Sequence, residues 1–271
     1  MWVILQAIFA GLLVLFAGTI PRNIFYWLNL RYYTTVPWGA ILTATFLVFF
    51  WWFLRGWGAD PTVAARRREQ LRAEPVRLAL WGWSLLAGGF GIVSLVFALG
   101  IVNRFVLLPQ QEVPDLSGVP NYTIAVLLFV SAPVAGVIEE SAFRGYMQGP
   151  IERRYGLPVA ILITGTMFAV VHLDFTPILW PYYVAVAAIY GTVTFLVDSI
   201  RPAIVLHSVG NLYSNFDLWW NGQAEWQRSA VGGSSADDAL GAWIGGFLVA
   251  GTIMLWGYFQ LAKAAKANGR A

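Results

Sequence analysis

The 271-residue chain is 58% apolar and 16% aromatic, with only 11% charged residues, a formal charge of +3 and a mean hydropathy of +0.64. An ordinary globular domain has roughly 45–50% apolar and about 25% charged residues. The composition therefore excludes a disordered chain, a water-soluble enzyme of usual make-up and a nucleic-acid-binding domain, and it points to a polytopic membrane protein. A membrane helix needs about 20 mostly apolar residues. Eight stretches qualify as spans: 1–20, 36–54, 78–102, 122–148, 157–173, 178–197, 202–220 and 240–262. The fold class expected is all-α, a membrane helix bundle with about eight transmembrane helices. The N-terminus lacks a basic region before its apolar run, so it reads as a retained first helix. Phe49, Phe50, Trp51, Trp52 and Phe53 close the second span as an interfacial aromatic belt, and Trp219 and Trp220 do so for the seventh.

With eight spans, and with Arg144 inside the fourth, twelve of the seventeen Lys and Arg residues fall on the side of the termini, and Arg22, Arg31, Arg104 and Arg228 fall on the other. Positive-inside bias then places both termini in the cytoplasm of an integral protein of the cell (inner) membrane. Residues 59–77 form the main cytoplasmic loop, with a helix start at Asp60-Pro61 followed by a basic run. That run is either an arm that lies on anionic headgroups or meets an acidic substrate segment, or a plain topology determinant. The polar loop at 221–239 is expected outside.

The chain has no cysteine, which removes disulfides, thiolate metal sites and a cysteine nucleophile. Its ionisable residues within apolar spans mark candidate sites, because such groups are costly in hydrocarbon. Glu139, Glu140 and Arg144 lie in the fourth span. Adjacent helical residues diverge by about 100°, so the two glutamates address different targets. Glu140 and Arg144 are four apart in the order that favours an ion pair. Glu139 is left without a local partner and available for proton transfer. Phe168 and His172 share a face in the fifth span, and His207 and Asn211 share one in the seventh. A single membrane histidine often serves helix packing. Here both histidines of the chain lie in apolar spans, each with a companion four residues away.

Glu139-Glu140-Ser141-Ala142-Phe143-Arg144 reads as EExxxR, Phe168 to His172 as FxxxH, and His207 to Asn211 as HxxxN. In that order, on successive membrane helices, they resemble the CPBP family of type II CAAX prenyl proteases and bacteriocin-processing, Abi-like proteins. The resemblance covers residues 120–220, taken as the catalytic core. Residues 1–119 are N-terminal helices with the basic loop, and 221–271 the outer loop, last helix and tail.

The resemblance implies an intramembrane endopeptidase acting on a membrane-embedded or lipidated protein or peptide. Glu139 and His172 would activate water, and His207 and Asn211 would form the oxyanion site. Glu140, Arg144 and Phe168 would support them. The bilayer is a partner and nucleic acid is not. No cofactor is favoured. A zinc ion held by Glu139, His172 and His207 is the metal alternative, although the H-E-x-x-H motif is absent. Two other classes remain open: a non-enzymatic immunity or scaffold protein using the polar cluster for packing, and a proton-coupled transporter, for which no inverted repeat is visible.

Overall fold

The structure, a computed structural model, describes residues 1–32, 34–106, 116–173, 177–221 and 236–267. Most of the polar loop at 221–239 lies outside these residues, as do Asp174, Arg228 and Arg270. The described residues form helices and turns without a strand. In chain order the helices are α1 (Trp2–Tyr32), α2 (Trp38–Leu54), α3 (Pro61–Leu71), α4 (Leu78–Phe105), α5 (Asn121–Glu140), α6 (Gly149–Tyr155), α7 (Leu157–Val171), α8 (Trp180–Val197), α9 (Arg201–Asn221) and α10 (Ala236–Ala267). A π-helical segment, Ser141–Gln148, joins α5 to α6, and a 3₁₀ turn, Pro177–Leu179, leads into α8.

Every stretch read as a span is helical. Five meet both the length and the apolarity needed to cross a membrane: α1, α4, the continuous Asn121–Tyr155 rod, Pro177–Val197 and Leu240–Ala267. α2 and α7 are shorter apolar helices. The chain is an integral membrane protein, and its architecture is compatible with eight passes. Long-range bonds fix which helix ends lie together. The Met1 amine donates to Tyr155 Oη, and Arg72 bridges Glu152 and Asp198, so the start of α1, the end of α3, α6 and the end of α8 share one end, here the basic end. At the opposite end Tyr122 Oη donates to the Thr35 carbonyl and Trp219 Nε1 to Asn121 Oδ1. The long helices thus alternate in direction.

The first span is longer than its apolar run suggests. α1 continues through Pro21 and Arg22 to Tyr32. At 1.5 Å per residue its 31 residues measure about 46 Å, more than the roughly 30 Å of hydrocarbon. A helix satisfies its own backbone, so the end of an apolar run does not end the helix. The inner face of α1 lies against the rod through two close approaches. A Cβ built at Gly11 would come within 2.8 Å of Met147, and one at Gly18 within 2.6 Å of Ile138.

Part of the basic loop is bonded to the bundle. Asp60 caps α3 through bonds to the Thr62 and Val63 amides, as its sequence position predicts. Arg67 lies 3.9 Å from the centre of the Phe53 ring. The strand of chain after α3 is bonded into the bundle: the Ile200 amide donates to the Arg72 carbonyl, Ser199 Oγ to the Glu74 carbonyl and Arg201 Nε to the Ala73 carbonyl. Glu152 pairs with Arg72 Nη1 through one oxygen at 2.8 Å and accepts from Gln148 Nε2 with the other at 2.9 Å. This polar knot ties the loop to the end of the π segment.

Candidate active site

The site is built where α5 gives way to the π segment. Glu139 and Glu140 are the last two residues of α5. Glu140 and Arg144 are fully buried, with Glu140 Oε1 3.1 Å from Arg144 Nη1. The same oxygen accepts from His207 Nδ1 at 2.7 Å. A carboxylate accepts, so His207 Nδ1 carries the proton in this contact. Arg144 makes an ion pair at good distance but without hydrogen-bond alignment, and its guanidinium nitrogens have no hydrogen-bond partner. Three aromatic faces surround it instead: Tyr190, Phe168 and Phe143, at 5.2, 5.4 and 5.9 Å from Arg144 Cζ. Their ring quadrupoles stabilise a desolvated cation.

Glu139 turns the other way. It lines a cavity of about 190 Å³ together with Phe168, His172, His207 and Asn211. Among the described residues its Oε2 has no hydrogen-bond partner, and it lies 3.7 Å from His207 Nε2. One imidazole therefore spans both carboxylates. The cavity is roomy enough for several water molecules, each occupying about 30 Å³ of liquid volume, and it is walled by polar groups that could hold them.

His172 stands in the turn just past the end of α7 rather than inside the helix, and it is exposed to the cavity side. Its Nδ1 lies 2.7 Å from the Phe168 carbonyl oxygen. A carbonyl only accepts, so Nδ1 is the protonated nitrogen and Nε2 keeps its lone pair. The Phe168 ring is wedged between the two histidines, 4.5 Å from His172 and 6.2 Å from His207. Its side chain also touches Phe143 and Tyr183.

All seven residues singled out in the sequence are brought together. Glu139, Phe168, His172, His207 and Asn211 face the cavity, while Glu140 and Arg144 lie behind it. Several wall residues escaped the sequence reading. Tyr183 packs on His172 with ring centres 5.1 Å apart, and Tyr190 stacks on His207 at 5.2 Å with planes 18° apart. They are seven apart on α8, two turns on one face, which is the signal that could have found them. Ile92, Leu95, Val96 and Leu99 of α4 form an apolar wall. No motif marks them.

Among the described residues no group of three or more histidine, aspartate or glutamate side chains is placed to hold an ion. Glu139, His172 and His207 share the cavity, and each imidazole has its Nδ1 engaged, which orients the ring and leaves Nε2 as the available nitrogen.

Residues 121–213 match the family model described as Type II CAAX prenyl endopeptidase Rce1-like. The matched segment contains every residue of the three motifs and agrees with the resemblance they carry. No curated protein and no solved structure matches the chain.

Proposed function

Taking residues 121–213 as an Rce1-like domain, we propose that the chain is an intramembrane endopeptidase that hydrolyses a peptide bond of a membrane-embedded or lipidated protein. One observation carries this reading. Glu139, His172, His207 and Asn211 line a single cavity, while Glu140 is committed to Arg144 and His207 behind it. Packing alone would not require a carboxylate oxygen left without a hydrogen bond inside such a cavity.

In this proposal a water sits between Glu139 and His172. It donates to the free Glu139 oxygen and to the lone pair on His172 Nε2. Glu139 takes its proton as the oxygen attacks the scissile carbonyl. Negative charge then develops on the carbonyl oxygen. Asn211 stabilises it with an amide N–H, and His207 does so from Nε2 when the ring carries both protons. One such donor is typically worth about 2.7–4 kcal/mol. Glu139 returns the proton to the leaving amine, which separates from the new carboxylate. Glu140 and Arg144 hold His207 in place. The chemistry uses side chains alone and needs no metal.

The depth of the site fits attack from the cytoplasmic side, which in this reading is the basic end. His207 is six residues above Arg201, about 9 Å along α9. A C-terminal segment of a lipidated protein, held at the inner surface, lies within reach of that depth. The test is cleavage in liposomes, with prenylated and unprenylated C-terminal peptides offered to the wild type, Glu139→Gln and His172→Ala. Wild-type cleavage with a loss of about 10²–10⁴-fold in both variants is expected, the range that proton transfer contributes. Equal activity in all three proteins would refute the reading. Stoichiometric zinc that leaves together with activity on chelation would overturn the metal-free mechanism.

A further inference from the structure

We infer that Tyr190 is a third donor of the oxyanion site, beside His207 and Asn211, and that its phenolic O–H donates to the oxyanion of the tetrahedral intermediate. The inference rests on the endopeptidase reading and adds to it a residue outside the three motifs. Tyr190 comes from α8, whereas the motifs lie on α5 with its π segment, on α7 with the turn after it, and on α9.

Three observations place the hydroxyl. Tyr190 lines the cavity although only 3% of it is exposed. A Cβ built on Gly210 would stand 3.5 Å from the Tyr190 hydroxyl oxygen. His207, Gly210 and Asn211 fall at i, i+3 and i+4 on one face of α9. The phenol oxygen therefore lies on the open side of Gly210, about a methyl group's width away, beside the two residues assigned to the oxyanion. Gly210 also lines the cavity, so this is the cavity wall and not the back of the helix.

The ring has little freedom to carry its hydroxyl elsewhere. One contact is a near-parallel stack on His207, and another is the Arg144 guanidinium 5.2 Å from the ring centre. Among the described residues no protein group forms a hydrogen bond with the hydroxyl. A buried phenol ordinarily finds a partner. Here the space it opens onto is the space where a substrate carbonyl would sit.

The geometry also shows why a further donor is useful. His207 spends Nδ1–H on Glu140. Its Nε2 donates only when the ring is doubly protonated, and it already faces Glu139. With a neutral His207 the pair assigned to the oxyanion would offer Asn211 alone. Tyr190 donates whichever form His207 takes. No covalent bond to Tyr190 forms or breaks, and its proton stays on the phenol throughout.

Tyr190→Phe removes the hydroxyl and keeps the stack on His207 and the aromatic face for Arg144. The expected result in liposomes is a fall in kcat of about 10²-fold, with KM within about twofold and an unchanged melting temperature in detergent. A non-cleavable peptide phosphinate, which mimics the tetrahedral intermediate, should lose affinity in parallel. The ground-state peptide should bind the Glu139→Gln protein equally well with and without Tyr190→Phe. Wild-type kcat in Tyr190→Phe, with Tyr190→Leu impaired only in thermal stability, would overturn the inference and leave Tyr190 as packing. That outcome leaves the endopeptidase reading standing as long as Glu139→Gln is inactive. Cleavage indifferent to Glu139→Gln would overturn both.

Discussion

Glu140 Oε1 is shared between Arg144 and His207, and all three groups are buried. Removing one charge from such a set strands the others. Replacing Glu140 by Gln leaves the Arg144 cation with only aromatic faces around it, which costs about 3–5 kcal/mol when a buried pair loses one partner. The expected outcome is a clear drop in melting temperature for Glu140→Gln, with Glu139→Gln close to wild type in the same thermal scan. The reverse pattern would show that Glu139 carries the structural role. The division between the two glutamates was legible in the sequence, because helical geometry separates neighbours by about 100° and places position 144 over 140. The link from Glu140 to His207, 67 positions away, was not, since i,i+4 logic is blind to a partner on another helix. The tautomer of His172 was likewise invisible, being set by the Phe168 carbonyl oxygen.

At the scale of elements, the site depends on how closely α5 and α9 approach. A Cβ at Gly136 would collide with Ser208 Oγ and stand 3.0 Å from the Ile204 carbonyl oxygen. Ser208 Oγ is itself bonded to that carbonyl. Gly136 precedes Glu139 by one turn, and Ser208 adjoins His207. Gly136→Ala should therefore push α5 and α9 apart. Overpacking of this kind costs about 1–3 kcal/mol, and the expected loss of cleavage is larger than that of stability: at least tenfold in kcat with the bundle still folded. Unchanged kcat would mean that the α5–α9 spacing does not set the geometry of Glu139 and His207. The existence of these helices followed from hydropathy alone. The π segment did not, because an apolar run carries no mark of a widened turn. Hydropathy also could not show that α4, remote from every motif, supplies an apolar wall beside the cavity. That wall is where selectivity among substrate side chains can reside.

For the whole molecule, the alternating helices and the polar knot around Arg72 give the bundle two distinct ends. The cation count predicts that the end bearing α3 is cytoplasmic. The lack of cysteine makes this simple to check. Ala65, exposed on α3, and Gly118, exposed near the start of α5 with nothing within 4 Å of an added Cβ, are suitable single-cysteine positions. In intact cells a membrane-impermeant maleimide should label Gly118→Cys and reach Ala65→Cys only after permeabilisation. Inverted labelling would place the site at the outer face and remove lipidated cytoplasmic proteins from the range of substrates. The charge asymmetry that suggested the topology came entirely from the few residues of an apolar chain that are charged, and the same scarcity made Glu139, Glu140, Arg144, His172 and His207 stand out. In the endopeptidase reading the choice of substrate is written in no single motif, since the cavity wall is assembled from α4, α5, α7, α8 and α9.

The most direct test of water activation by Glu139 is a comparison of membrane-protein termini in cells that carry either the wild type or Glu139→Gln at equal protein levels. The expected result is a set of shortened termini present with the wild type and absent with Glu139→Gln, with cleavage sites that map within or beside the membrane. Identical termini in the two strains, with both proteins folded and inserted, would contradict it.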